Sequence, residues 1–289
     1  MYCGGQEARE EGGYGVSTHA GAVGYRGSCT RGHVVLKYSL LGSGSSGNST
    51  LLTHDGGAIL VDMGFSYKEF SRRVHKVLDP DRRIDAIFLT HEHSDHCAGL
   101  GVLCRRMDIP VYMTQGTQWS LPERVGEIPT IRMFESGETV EAGGFTVESF
   151  HTSHDAADPV CFTICHNGSK VGIVTDMGMA PELVKQKLSG CNVLLLECNY
   201  DPTMLTEGEY PDSLKKRIRS NTGHLSNYQS ASLLKSVMHD DLRTVVAMHI
   251  SDKNNTPELV REAIGGVFDG YRPVLKIASQ DEPTELREV

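Results

Sequence analysis

The stretch Thr90-His91-Glu92-His93-Ser94-Asp95-His96 constrains this chain more than any other. It follows the apolar run 85–89, which reads as a buried strand, and precedes a turn at Ala98-Gly99. Residues two apart on a strand share a face, so His91 and His93 can bind one ion together. Asp95 and His96, past the strand end where the chain turns, can serve a second. With 13 histidines in 289 residues, a chance H-x-H-x-D-H is rare, on the order of one in a thousand.

One such motif holds too few ligands for two ions, so the fold must bring more His or Asp from later strand ends. Three later apolar runs end this way. His154 follows the run 145–150, Asp176 ends the run 170–175, and His249 ends the run 244–248. Each alone reads as a turn or cap residue; beside the first motif they read as ligands, with Asp176 placed to bridge two metals.

From residue 33 onward short apolar runs alternate with amphipathic segments. Strands are expected at 34–41, 50–54, 58–62, 85–90, 111–114, 145–150, 160–166, 170–176, 192–197, 244–249 and 274–277. Helices are expected at 66–78, 180–188, 213–219, 226–238 and 257–268, the last with Thr256 as cap and Pro257 at the first helical position. That is more strands than one doubly wound sheet needs. Hairpin-like pairs mixed with helices predict an α/β (α+β) fold, two mixed sheets between helical layers, as one domain over 33–289. Residues 1–32 are rich in glycine and charge and carry no period, so a disordered extension is expected there.

The net charge of −9 marks an acidic soluble protein. No apolar run approaches the roughly 18 residues that cross a bilayer, and the first thirty residues lack an apolar signal core. No membrane partner is expected. Eight cysteines without a C-x-x-C pair argue against a disulfide scaffold or a zinc ribbon, and for a reducing cytoplasm.

Asp62, His91, His93, Asp95, His96, His154, Asp176 and His249 together resemble the ordered motifs of the metallo-β-lactamase superfamily. The resemblance implies a four-layered αββα sandwich with two divalent metals at one edge. It also implies that Asp62 orients a ligand histidine instead of binding metal itself. The segments Leu41-Gly42-Ser43-Gly44-Ser45-Ser46-Gly47-Asn48-Ser49, Glu197-Cys198-Asn199-Tyr200-Asp201, Gly223-His224-Leu225-Ser226-Asn227 and His249-Ile250-Ser251-Asp252-Lys253-Asn254-Asn255 resemble the YycJ/WalJ-like group more closely. That group is associated with 5′-to-3′ exonuclease action on DNA.

Two divalent cations sharing an oxygen can lower a bound water's pKa toward about 7, which makes a bridging hydroxide the expected nucleophile of a hydrolase. Imidazole and carboxylate without thiolate suit zinc and manganese alike. A leaving alkoxide needs a proton. His224 is the expected donor, held by Glu197 at the end of another strand, a pairing similar to that of the tRNA 3′-end processing nucleases of the same superfamily. Ser45 and Asn48 in the glycine and serine stretch, and Lys253 and Asn254 before the 257 helix, are expected to meet phosphate.

An acidic chain that binds nucleic acid needs local positive charge. Lys215, Lys216, Arg217 and Arg219 before His224, with Lys253 after His249, can border one cleft. The first reading is thus a dinuclear-metal phosphodiesterase, a 5′-to-3′ exonuclease on DNA. The alternative is a hydrolase of the same fold acting on a small ester, thioester, lactone or cyclic phosphodiester. An iron-based redox protein is disfavoured by His93, where that variant carries Glu.

Overall fold

Strands covered on both faces read as near-continuous apolar runs, and the register here shows why. A computed structural model describes residues 1, 35–268, 270 and 273–289. Apart from Met1, the extension expected to be disordered lies outside the described residues.

The first sheet contains β1 (Lys37–Gly42), β2 (Ser49–His54), β3 (Gly57–Val61), β4 (Ala86–Phe88), β5 (Val111–Met113) and β6 (Ile131–Met133). The second contains β7 (Thr139–Ala142), β8 (Phe145–His151), β9 (Val160–His166), β10 (Ser169–Val174), β11 (Val193–Glu197), β12 (Thr244–Met248) and β13 (Val274–Ile277). A short β14 (Arg287–Glu288) returns to the first sheet beside β1. The helices are α1 (Tyr67–Val74), α2 (Ser94–Cys97), α3 (Leu100–Met107), α4 (Gln115–Ser120), α5 (Glu182–Leu188), α6 (Pro202–Glu207), α7 (Asp212–Arg219), α8 (Asn227–Val237) and α9 (Pro257–Gly265).

The strand orders, β14-β1-β2-β3-β4-β5-β6 and β13-β12-β11-β10-β9-β8-β7, mirror one another. In each sheet an antiparallel half passes into a parallel half, at β3 in the first and at β10 in the second. Side chains alternate between faces. Ile59 and Val61 point into the core between the sheets, while Ala58 and Leu60 pack with residues of α1 and α3. Likewise Val193 and Leu195 face the first sheet, and Leu194 and Leu196 pack under α5, α8 and α9. The layers are therefore helix, sheet, sheet, helix, as expected. Phe88 on β4 meets Phe162 on β9 edge to face at 5.8 Å, tying the sheets together two residues before the ligand motif begins.

Helix starts follow the expected caps. Ser226 and Gln229 form a reciprocal capping box on α8, and Thr256 accepts the Leu259 N–H at the start of α9. Departures from the expectation fall on weak signals. Helix α1 stops at Val74, short of residue 78, and β6 and β7 are short strands with exposed residues. Helix α3 follows the expected turn at Ala98-Gly99 and is not among the expected helices. Its Gly101 approaches the Val125 carbonyl so closely that a Cβ would lie 2.0 Å from it, so glycine serves packing there. Among the described residues no helix is long and apolar enough to cross a membrane.

Candidate metal centre

The ligand-bearing segments leave the sheets at one edge because their strands run the same way. Asp62 follows β3, the 90–96 motif follows β4, His154 follows β8, Asp176 follows β10 and His249 follows β12. Strand β8 runs parallel to β10, since both are antiparallel to β9. Asp62, Asp176 and His249 have φ of 63°, 54° and 53°, a left-handed backbone that costs a non-glycine residue on the order of 1–3 kcal/mol. Strain of that kind concentrates where side chains must be aimed.

The geometry gathers four overlapping groups of donors among the described residues; two of them share no residue, and Asp176 joins the others, with His91 and His96 and with Glu197, His224 and His249. His91, His93 and His154 form one set, and Asp95, His96 and His249 another; within each, donor atoms lie within 4.8 Å of one another. Asp176 stands between them, with Oδ2 3.0 Å from His96 Nε2 and Oδ1 3.6 Å from His154 Nε2. That is the position a bridging carboxylate needs.

The outward nitrogens of these rings have partners. His91 Nδ1 donates to the Thr90 hydroxyl at 3.0 Å, His154 Nδ1 to the Gly223 carbonyl at 3.0 Å, His96 Nδ1 to Asp62 at 2.7 Å and His249 Nδ1 to Glu197 at 3.2 Å. This pattern fixes the tautomer and turns each Nε2 inward, as in metal-bound histidines. Asp62 also accepts the Thr90 N–H and hydroxyl, at 2.8 and 2.9 Å, so it positions His96 from behind.

A cation fits this arrangement. His91 Nε2 is buried with no hydrogen-bond partner, a condition that costs about 1–3 kcal/mol if nothing fills it. His154 Nε2 faces His93 Nδ1 at 3.2 Å. Burial and neighbouring imidazoles hold His91 below the ordinary imidazole range, and burial does the same to His154. Both stay neutral and able to ligate. At the other set burial opposes charge, but carboxylates outweigh it. Asp176, Asp62 and Asp95 raise His96, and Asp176, Asp95 and Glu197 raise His249 to about 10. Burial would raise Asp95 and Asp176, yet the adjacent imidazoles hold both below the carboxylate range. Cys97 stays out: its thiol donates to the Glu92 carbonyl at 3.1 Å, and burial pushes it up to about 12.

Beside the donors lies the expected dyad. Glu197 is fully buried, and its Oε1 is 2.7 Å from His224 Nδ1. Its Oε2 accepts the N–H groups of Met177 and Leu225 at 2.9 and 3.2 Å. Burial would raise this carboxyl, but His224 and His249 hold it low, so it is ionised. With Nδ1 engaged, Nε2 is the free ring nitrogen of His224, which lines a cleft of about 220 Å³ with His93, Asp95, Asp176 and His249.

The expected substrate contacts divide. Ser45 lines this cleft; Asn48, Lys253 and Asn254 do not. Asn48 is buried, accepts the Gly44 N–H at 2.9 Å and donates to Asp95 Oδ2 at 3.2 Å, so it supports Asp95 from below. Asn254 is buried where its carbonyl accepts the Asp201 N–H at 2.8 Å, and Lys253 points to solvent. The sequence reading missed Asn199, Tyr210, Leu214 and Ile218, which line the cleft with Arg217. Only the charge run 215–219 pointed to that wall.

Residues 58–250 match the family model described as the Beta-lactamase superfamily domain. The chain belongs to this superfamily. It is 36% identical over 236 residues to Exodeoxyribonuclease YycJ of Bacillus anthracis, covering 81% of this chain and 89% of that protein. It is 34% identical over 228 residues to Exodeoxyribonuclease WalJ of Streptococcus pneumoniae, covering 77% and 84%. Among solved structures, the metallo-beta-lactamase fold protein YhfI from Bacillus subtilis aligns with a TM-score of 0.68 at 18% identity, over 87% of this chain and 99% of that one, which bears on fold alone. The expected family and layered architecture are thus borne out. This member of the superfamily is a metal-dependent hydrolase, with His and Asp clusters suited to a divalent ion.

Proposed function

We propose that this hydrolase is a dinuclear-metal phosphodiesterase of the cytoplasm that degrades DNA from the 5′ end, with zinc or manganese as its metal. The observation that carries the reading is the His224–Glu197 pair, 2.7 Å apart at the cleft. A phosphodiester expels an alkoxide, which needs a proton, and a held imidazole can supply it. The names of the two relatives point the same way.

His91, His93 and His154 would hold one ion and Asp95, His96 and His249 the other, with Asp176 shared. When bound, such ions supply Lewis acidity, acidifying water and offsetting phosphoryl charge. Asp62 keeps the His96 ring in register. Glu197, ionised and anchored by two backbone N–H groups, orients His224 through its Nδ1. Once water has given up a proton to solvent, its oxygen adds to phosphorus, the scissile P–O bond breaks, and His224 Nε2 gives a proton to the departing oxygen. General acids of this kind contribute about 10²–10⁴-fold.

The test is turnover of 5′- and 3′-end-labelled single- and double-stranded oligonucleotides with zinc and manganese added separately. Release of short products from the 5′ end is expected, in DNA more than RNA. Turnover confined to small esters or lactones would contradict the reading.

A further inference from the structure

Helix α7 sorts its own cations. Lys215 Nζ donates to the Thr206 carbonyl at 2.8 Å, and Arg219 donates to the Thr206 hydroxyl at 2.7 Å. These two residues, four apart, share the face turned to α6. Arg217 lies off that face, and among the described residues it is the one Lys or Arg that lines the metal-edge cleft. Its Nε donates to Asp155 Oδ2 at 2.5 Å, and Asp155 Oδ1 lies 3.4 Å from His154 Nε2. The guanidinium is thus anchored through Nε beside the donor set, and its two terminal amino groups make no hydrogen bond to a described residue. Leu214 and Ile218 flank it in the cleft wall, and its side chain is about half exposed there, open to an incoming anion.

Resting on the nuclease reading, we infer that Arg217 grips a backbone phosphate flanking the scissile one, with Asp155 as the residue that positions it. A planar fork fixed through Nε presents its two amino groups together, the geometry that takes two oxygens of one phosphate. The net charge of −9 makes the point sharper. A polyanion approaching an acidic protein needs a cation inside the cleft, and α7 supplies it.

The experiment compares wild type with Arg217→Ala and Arg217→Lys, using a single-stranded oligonucleotide and bis(p-nitrophenyl) phosphate, which has no flanking phosphate. For Arg217→Ala the ratio of kcat/KM for the oligonucleotide over that for the small diester should fall about tenfold, mainly through KM. The slope of log kcat/KM against log salt should become shallower by about 0.7, the value for one single-strand phosphate contact. Arg217→Lys should restore the slope while recovering only part of the ratio, since an ammonium keeps charge but not the fork. Asp155→Asn should lower the ratio in wild type and add nothing in the Arg217→Ala background.

An unchanged ratio and salt slope in Arg217→Ala, with wild type cutting the oligonucleotide normally, would overturn this inference alone. Equal losses on both substrates with an unaltered slope would also overturn it, by assigning Arg217 a structural role. A wild type that hydrolyses the small diester but no oligonucleotide would overturn the nuclease reading, and this inference with it.

Discussion

Histidines pair across the two sheets at both ends of the strands, yet only one end is built for a cation. At the far end, where β2 turns into β3, His54 stacks on His166 with centroids 3.8 Å apart and planes within 13°. His54 Nε2 donates to the Gly143 carbonyl at 2.8 Å while Nδ1 accepts the Gly56 N–H at 3.0 Å, and His166 Nδ1 donates to the Gly144 carbonyl at 2.8 Å. Backbone groups satisfy both His54 nitrogens; His166 Nε2 is buried without a hydrogen-bond partner, as His91 Nε2 is, but the pair stands as flat aromatic packing. Among the described residues, no metal-holding group of three or more forms there. At the near end His91, His96, His154 and His249 each have Nδ1 satisfied from outside and Nε2 turned inward, where carboxylates of Asp95 and Asp176 converge. Histidine count does not mark a metal site. Convergence of unsatisfied nitrogens on carboxylates does.

Substitutions should separate the ends, and the largest effect is expected at His91. His91→Ala should lose metal and reduce turnover by more than the roughly 10–100-fold typical of residues that only orient ligands; metal analysis and the phosphodiesterase assay check both. Retained metal and activity would erase the contrast. His224→Ala should lower kcat about 10²–10⁴-fold with metal content intact, which distinguishes proton delivery from ligation. Asp62→Asn should weaken metal affinity about 10–100-fold, measured by competition with a chelating dye, because the His96 ring loses the acceptor that fixes it.

The smallest functional effect is expected at the far end. His54→Phe should lower unfolding stability by about 1–3 kcal/mol in denaturant melts, since the Gly143 and Gly56 backbone groups lose their partner, while metal content stays the same. Burial, with His166 and Arg82 nearby, holds His54 below its ordinary value. A base whose pKa is lower folded than unfolded binds its proton better in the unfolded chain. Its contribution is complete above the unfolded value near 6.5 and is lost as pH falls below it. His54→Phe should therefore flatten the acid limb of stability below about pH 6.5.

Much of the near end was legible in the sequence because each ligand sits directly after an apolar run. His154, Asp176 and His249 meet the 90–96 motif for that reason. The dyad was legible too, since Glu197 closes a buried strand and His224 precedes a capped helix. What was not legible depends on which way a loop side chain turns. Asn48 looked like a phosphate contact beside Ser45, but the glycines around it let the loop fold its amide inward onto Asp95. Asn254 was drawn inward by α6. Within the run 215–219, helix phase alone separates Arg217 from its neighbours, and spacing cannot say which face meets the cleft. Short strands such as β6 and β7 carry too little buried surface to leave a pattern.

Crystals grown with manganese or zinc and measured at the absorption edge of the metal test the central claim most directly. Two anomalous peaks should appear, one against His91, His93 and His154 and the other against Asp95, His96 and His249, with the Asp176 carboxylate touching both. A single peak away from Asp176, or metal at the His54–His166 end instead, would contradict the account.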